Sequence, residues 1–189
     1  MLKKLLTKNR SYRRFHQDYK IEHQTLAELI DMARLCPSGA NLQPLKYILS
    51  CDAGKNALIF ERLVWAGYLK DWAGPAESER PSAYIIILGD TDITKTFGCD
   101  HGITAQSILL GAVEKGLGGC MVGSIHRKEL AKSLKIPPCY EILLALALGK
   151  PKEQVTIEST EITGDIKYYR DNKQTHHVPK RPLDEIIIG

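Results

Sequence analysis

Two stretches of this chain are apolar at every position: residues 83–88, Ala-Tyr-Ile-Ile-Ile-Leu, and residues 142–148, Ile-Leu-Leu-Ala-Leu-Ala-Leu. Both are strand length, and neither has the polar alternation of a strand with one wet face. They predict central strands over residues 83–89 and 141–148, buried on both faces. A membrane-spanning helix needs roughly 18 uninterrupted apolar residues, and no window approaches that, so the chain reads as a soluble protein. With 189 residues, 43% hydrophobic and 25% charged, it holds enough apolar material for one substantial core and too little for two.

Helical patterns surround these strands. Residues 1–8 carry Leu2, Leu5 and Leu6 on one face with lysines opposite, and residues 23–35 place Leu26, Leu29, Ile30, Met32 and Ala33 on a buried stripe that runs into Pro37. Residues 45–51 read as a strand. Residues 55 to about 72 read as one long helix whose end is rich in aromatics, Phe60, Trp65, Tyr68 and Trp72. Residues 100–115 are apolar on more than one face, which requires a helix buried on several sides, in a core or a subunit interface. Residues 116–119, Gly-Leu-Gly-Gly, end that helix, and a short strand over 120–123 leads to Ser124. Residues 128–134 form a small helix. From Lys152 onward the chain turns polar, with an extended stretch at 166–169, the pair His176 and His177, a basic pair at Lys180 and Arg181, and a final apolar run over 183–188 expected to dock on a neighbouring surface.

The five cysteines, Cys36, Cys51, Cys99, Cys120 and Cys139, are odd in number and widely spaced, which argues against a disulfide framework, a zinc site or an iron–sulfur cluster. Reduced thiols fit a cytoplasmic protein. The basic N-terminal stretch lacks the apolar segment of a signal peptide. The net charge of +4 is dispersed among acids except at the two ends of the chain, a pattern that suits a discrete anion better than a nucleic acid.

Three polar islands look built to hold a ligand. Around Arg10, Ser11 and Arg13, two guanidinium forks and a hydroxyl suit a phosphate monoester. In residues 36–44, Cys-Pro-Ser-Gly-Ala-Asn-Leu-Gln-Pro, two prolines fix the backbone while Ser38, Asn41 and Gln43 present short hydrogen-bonding groups. The glycines at 116–119 either make a turn or let backbone approach a flat ligand.

Taken in order, these pieces resemble the nitroreductase family of flavin-dependent oxidoreductases over nearly the whole chain. Residues 10–15, Arg-Ser-Tyr-Arg-Arg-Phe, are similar to the family's R-S-x-R-x-F motif, and residues 37–44 to its P-S-x-x-N-x-Q-P motif. Residues 116–123, Gly-Leu-Gly-Gly-Cys-Met-Val-Gly, resemble G-L-G-x-x-W-x-G. Residues 147–151 are similar to A-L-G-x-P, and residues 180–186 to the basic C-terminal ending. The chain departs from the pattern at Met121, where many relatives carry Trp or Pro, and at Cys36, where Ala is usual.

The resemblance implies an α+β fold, a three-layer α/β/α sandwich with a mixed, mostly antiparallel sheet, assembled as an intertwined homodimer with FMN in each interface cleft. One domain would span residues 1–189, with 152–189 as an extension reaching the partner subunit. Arg10, Ser11 and Arg13, helped by Lys180 or Arg181, would hold the flavin phosphate. Ser38, Asn41 and Gln43 of the partner, with backbone at Met121, Val122, Gly123 and Ser124, would contact the isoalloxazine and ribityl groups. The implied activity is hydride transfer from NADH or NADPH through FMN to an electron-poor small molecule such as a nitroaromatic or a quinone, by a ping-pong mechanism. No side-chain acid or base is required, no metal, no membrane and no nucleic acid. Trp65, Tyr68 and Trp72 are the candidates for the acceptor site, and His176 and His177 read as exposed tail residues. A reductive dehalogenase or metabolite dehydrogenase on the same fold, and a flavin-binding module without turnover, are the alternatives.

Overall fold

The computed structural model describes residues 1–161 and 164–189, which contain six α-helices and eight strands. In chain order these are α1 (Leu2–Lys8), β1 (Phe15–His16), α2 (His23–Ala33), a 3-10 turn (Gly39–Asn41), β2 (Leu45–Ser50), α3 (Ala53–Phe60), β3 (Ala83–Asp90), α4 (Asp100–Glu114), β4 (Gly118–Val122) and α5 (Arg127–Leu134). The chain continues with β5 (Tyr140–Pro151), β6 (Val155–Ser159), β7 (Tyr169–Arg170), β8 (His176–Lys180) and α6 (Leu183–Ile186).

The two apolar runs are β3 and β5, paired antiparallel at the centre of a five-stranded sheet. β2 lies outside β3, while β4 and then β1 pair antiparallel with the far side of β5. Alternation along β3 divides the core in two. Ala83, Ile85 and Ile87 join α2 and α4 on one face, and Tyr84, Ile86 and Leu88 join α3 and α5 on the other. The sheet is therefore the middle of three layers. A bulge in β5 shifts the register from Ile87 opposite Leu144 to Leu88 opposite Ile142. Ile142 thus serves the second core although Leu144 and Leu146, of the same parity, serve the first.

Helix α4 is nearly surrounded, only Gly102 and Glu114 being exposed, by packing against α1, α2, β4 and β5. Two expectations fail. The helix predicted from residue 55 to about 72 ends at Phe60, because residues 62–64 give their backbone groups to the segment after β4: Val64 N–H donates to the Ser124 carbonyl (2.9 Å), His126 N–H to that of Arg62 (2.9 Å), and Leu63 bridges Ile125. The polar tail also does more than trail off. β6, β8 and β7 form a second, three-stranded sheet, in which His176 is 1% exposed rather than a surface residue. No helix among the described residues is long and apolar enough to cross a membrane.

Candidate active site

The chain leaves α1 at Asn9 and passes beside β4, where Tyr12 N–H donates to the Gly119 carbonyl (3.0 Å) and Ser11 forms a parallel bridge with Gly119. Phe15 is then driven wholly inside, against Gly149, where a Cβ would lie 2.7 Å from its ring. This fixes the R-S-x-R-x-F backbone between buried anchors. A carboxylate the sequence reading did not single out completes the fixation. Glu153, its side chain 1% exposed, accepts from the backbone N–H of Arg13 and of Arg14 (3.2 Å) and from the Arg170 guanidinium (3.0 Å). Arg14 makes a two-pronged pair with Glu79 (2.6 and 2.7 Å); together with Lys152 it holds that carboxyl at about 2. Arg14 is thus committed to structure, whereas Arg10 and Arg13 turn to a cleft.

That cleft, of about 340 Å³, gathers Arg10, Ser11 and Arg13 from the N-terminal motif, Gln106 from α4, Met121 from β4, and Tyr168, His176 and Lys180 from the tail. No acidic side chain among the described residues lines it. Arg10 spends one nitrogen on the Leu6 carbonyl (2.6 Å), and its buried Nε has no acceptor among the described residues. Arg13 lies with its guanidinium carbon 4.7 Å from the Tyr168 ring centre, and its Nη1 reaches the Ser11 carbonyl (3.3 Å) and His176 Nε2 (3.2 Å). Burial, and then the charges of Arg13, Arg170 and His177, push His176 down to about 4. At neutral pH the imidazole is uncharged. A cleft with three basic side chains, a hydroxyl, an orphaned buried donor and no carboxylate matches the donor set of a phosphate ester.

The remaining residues singled out from the sequence separate. Lys180 lines the cleft, while Arg181 does not and pairs with Glu185. Met121 is 37% exposed, but Val122 points into the core. Gly123 and Ser124 lie past the end of β4, with carbonyls that already accept from Arg127 and Val64. Trp65, expected at an acceptor site, is 7% exposed and packs in the core against Phe60, and Trp72 lies under Arg170. Tyr68 is exposed and reaches the cleft only through Tyr168, whose ring is 4.9 Å from its own. The aromatic wall of the cleft is therefore Tyr168, a residue the pattern of the tail did not mark.

Ser38 and Gln43 line a different, smaller cleft of about 180 Å³ that shares no residue with the first; Asn41 is exposed on the same loop. The loop is organised by Asp100, 6% exposed at the start of α4. Asp100 accepts from the Ser38 hydroxyl (2.6 Å) and from Gly39 N–H (3.0 Å), and Ser38 Oγ accepts in turn from Gln43 N–H (2.9 Å). Ser38 has no proton left to give, so it can meet a ligand only as an acceptor. Ala40, Asn41 and Gln43 all adopt left-handed backbone, at φ 48°, 57° and 49°. Backbone held this way by surrounding structure is common where a loop serves a ligand. Cys36 donates to Ser107 Oγ (3.0 Å) in the wall of the same small cleft.

The chain is similar to several known proteins. Over 149 residues the chain is 25% identical to an Archaeoglobus fulgidus protein provisionally described as an NADH dehydrogenase/NAD(P)H nitroreductase, covering 75% of this chain and 80% of that one. It is 23% identical over 178 residues to a 5,6-dimethylbenzimidazole synthase of Rhodospirillum rubrum, covering 82% and 84% of the two chains. Its fold superposes with a TM-score of 0.65 on an FMN-dependent nitroreductase from Clostridium difficile R20291, at 23% identity and 79% and 87% coverage. A profile of the nitroreductase family matches residues 6–150, the span that carries the R-S-x-R-x-F motif, the polar loop and all of the central sheet but Pro151. On that match the chain belongs to the nitroreductase family.

Proposed function

We propose that the chain binds FMN and uses it to pass a hydride from NADH or NADPH to an electron-poor small molecule, a nitroaromatic, a quinone or a related acceptor. The observation that carries this reading is the acid-free cleft in which Arg10, Ser11, Arg13 and Lys180 converge while Met121 offers an adaptable apolar wall. Arg10, Ser11, Arg13 and Lys180 would hold the phosphate. Backbone along β4 and the Met121 side chain would border the ring. When bound, FMN supplies the hydride chemistry, so the protein's part is to bind, orient and exclude water. One cleft serves both donor and acceptor, hence the ping-pong order.

The polar loop enters through symmetry. Ser38, Asn41 and Gln43 lie away from their own chain's basic cleft, so their contact with a flavin would be made across a homodimer. The purified protein is expected to be yellow, with one FMN per chain, and to bleach anaerobically on addition of NADH or NADPH. A colourless protein with no affinity for FMN, or a yellow one that neither donor bleaches, overturns the reading. A panel of nitroaromatics, quinones, enones and halogenated acceptors, ranked by kcat/KM, separates a general reductase from an enzyme for one metabolite.

A further inference from the structure

We propose that His176 is a positioning residue that tethers the Arg13 guanidinium, aiming its free edge at the phosphate of the flavin, so that the C-terminal tail sets the preference for FMN over riboflavin. The inference rests on the FMN reading above.

The tether is defined by chemistry as well as distance. Arg13 Nη1 and His176 Nε2 are 3.2 Å apart, and a guanidinium is all donor and always charged. His176 Nε2 must therefore present its lone pair, which puts the imidazole in its neutral form with the hydrogen on Nδ1. A protonated ring would face arginine with a second donor. The residue is held in place because His176 sits in β8 opposite Val155 of β6 and Arg170 of β7, with its backbone N–H donating to the Gln154 carbonyl (2.9 Å), and the ring is enclosed, the residue being 1% exposed, with Nδ1 meeting no partner among the described residues.

The consequence falls on the rest of Arg13. Nη1 is occupied by His176 Nε2 and the Ser11 carbonyl, and Tyr168 covers one face of the plane at 4.7 Å. Nε and Nη2 have no hydrogen-bond partner among the described residues and form the edge that grips two oxygens of a phosphate at once. An untethered arginine would lose rotamer freedom at the moment of binding, a cost the tail has already met. The family profile ends at residue 150, so His176 and Tyr168 lie in the part of the chain that the match does not cover, while the Arg13 they hold lies within it.

The test uses the full chain, freed of flavin and titrated separately with FMN and with riboflavin by flavin fluorescence. The wild type is expected to bind FMN more tightly than riboflavin. His176→Ala should weaken FMN about tenfold, the loss of one charge-assisted hydrogen bond, while leaving riboflavin binding unchanged. Unchanged riboflavin binding also reports an intact fold. His176→Gln places an amide oxygen where Nε2 was and should restore most of the FMN affinity. In an Arg13→Ala background the His176→Ala change should have no further effect. An unchanged FMN-to-riboflavin ratio in His176→Ala, whether both ligands hold or both weaken, overturns the inference, as do additive losses in the double variant. A wild type that fails to bind FMN removes the underlying reading and the inference with it.

Discussion

Asp100 shows how a single side chain holds a ligand loop in shape. Its two carboxylate oxygens take the Ser38 hydroxyl and the Gly39 N–H in a place nearly closed to water. Asp100→Ala would strand both donors and is expected to destabilise the protein by about 2 kcal/mol, with Asp100→Asn losing less because one oxygen remains. Denaturant melts of the two variants check the order. Gly119 is a second such position: a Cβ there would stand 2.7 Å from the Ala147 carbonyl and 2.6 Å from Leu109. Gly119→Ala should cost about 1–3 kcal/mol, the usual range for overpacking. The glycines at 118 and 119 thus lie inside β4 and serve its close packing, while the turn read from the sequence falls at Gly116, with φ 71°. Asp100 left no mark in the sequence, since an acid in the first turn of a helix is ordinary. Arg10, Ser11 and Arg13 were grouped by their nearness in the sequence, and the fold brings Lys180 to the same cleft.

Among the elements, the tail sheet was the least legible, for a physical reason. β7 is two residues long, β8 is largely polar and basic, and in β6 the alternation of Val155 and Ile157 with polar residues misleads, since Ile157 is 41% exposed. Burial of His176 comes from tertiary packing with Tyr168 and Arg13, which a local pattern cannot encode. β3 and β5 were the opposite case, apolar throughout and therefore central. The adjacent histidines of β8 titrate in opposite senses. His177 places its ring nitrogens against Asp171 (3.2 Å) and Glu158 and stacks on Tyr169, and the two carboxylates raise it above the ordinary 6.5. Its contribution is full below 6.5 and is lost as pH rises through the raised value. Burial and the charges of Arg13, Arg170 and His177 lower His176 from 6.5 to about 4; its contribution is full above 6.5 and fades as pH falls toward 4. Docking of the tail should be firmest just above pH 6.5, read as amide exchange protection over residues 155–159 and 176–180. His177→Gln is expected to flatten the alkaline limb of that profile alone, and His176→Gln the acid limb alone. A profile that is flat from pH 4 to 8 in the wild type would contradict both assignments.

At the scale of the whole molecule, the chain ends in a way that one copy does not explain. Leu183, Ile186, Ile187 and Ile188 are 63%, 61%, 59% and 97% exposed, a run of aliphatic surface at the chain terminus, and β2 is the last strand on its side of the main sheet. The basic cleft and the Ser38–Gln43 loop present their polar groups in separate places on one chain. The proposed homodimer, with the apolar end of each copy packed on the other, would account for both facts by covering the aliphatic run and bringing the loop of one copy to the cleft of its partner. Removing residues 183–189 is then expected to convert a dimer into a monomer in sedimentation experiments. FMN affinity should fall in the same variant although Arg10, Ser11, Arg13 and Lys180 are all retained, since Ser38, Asn41 and Gln43 of the second copy are lost. The Asn41→Ala, Gln43→Ala variant of the full chain isolates that second effect: it should stay dimeric and still bind FMN less tightly. A truncated chain that sediments as a dimer, or a full-length monomer that binds FMN tightly, would show that one copy builds the whole site.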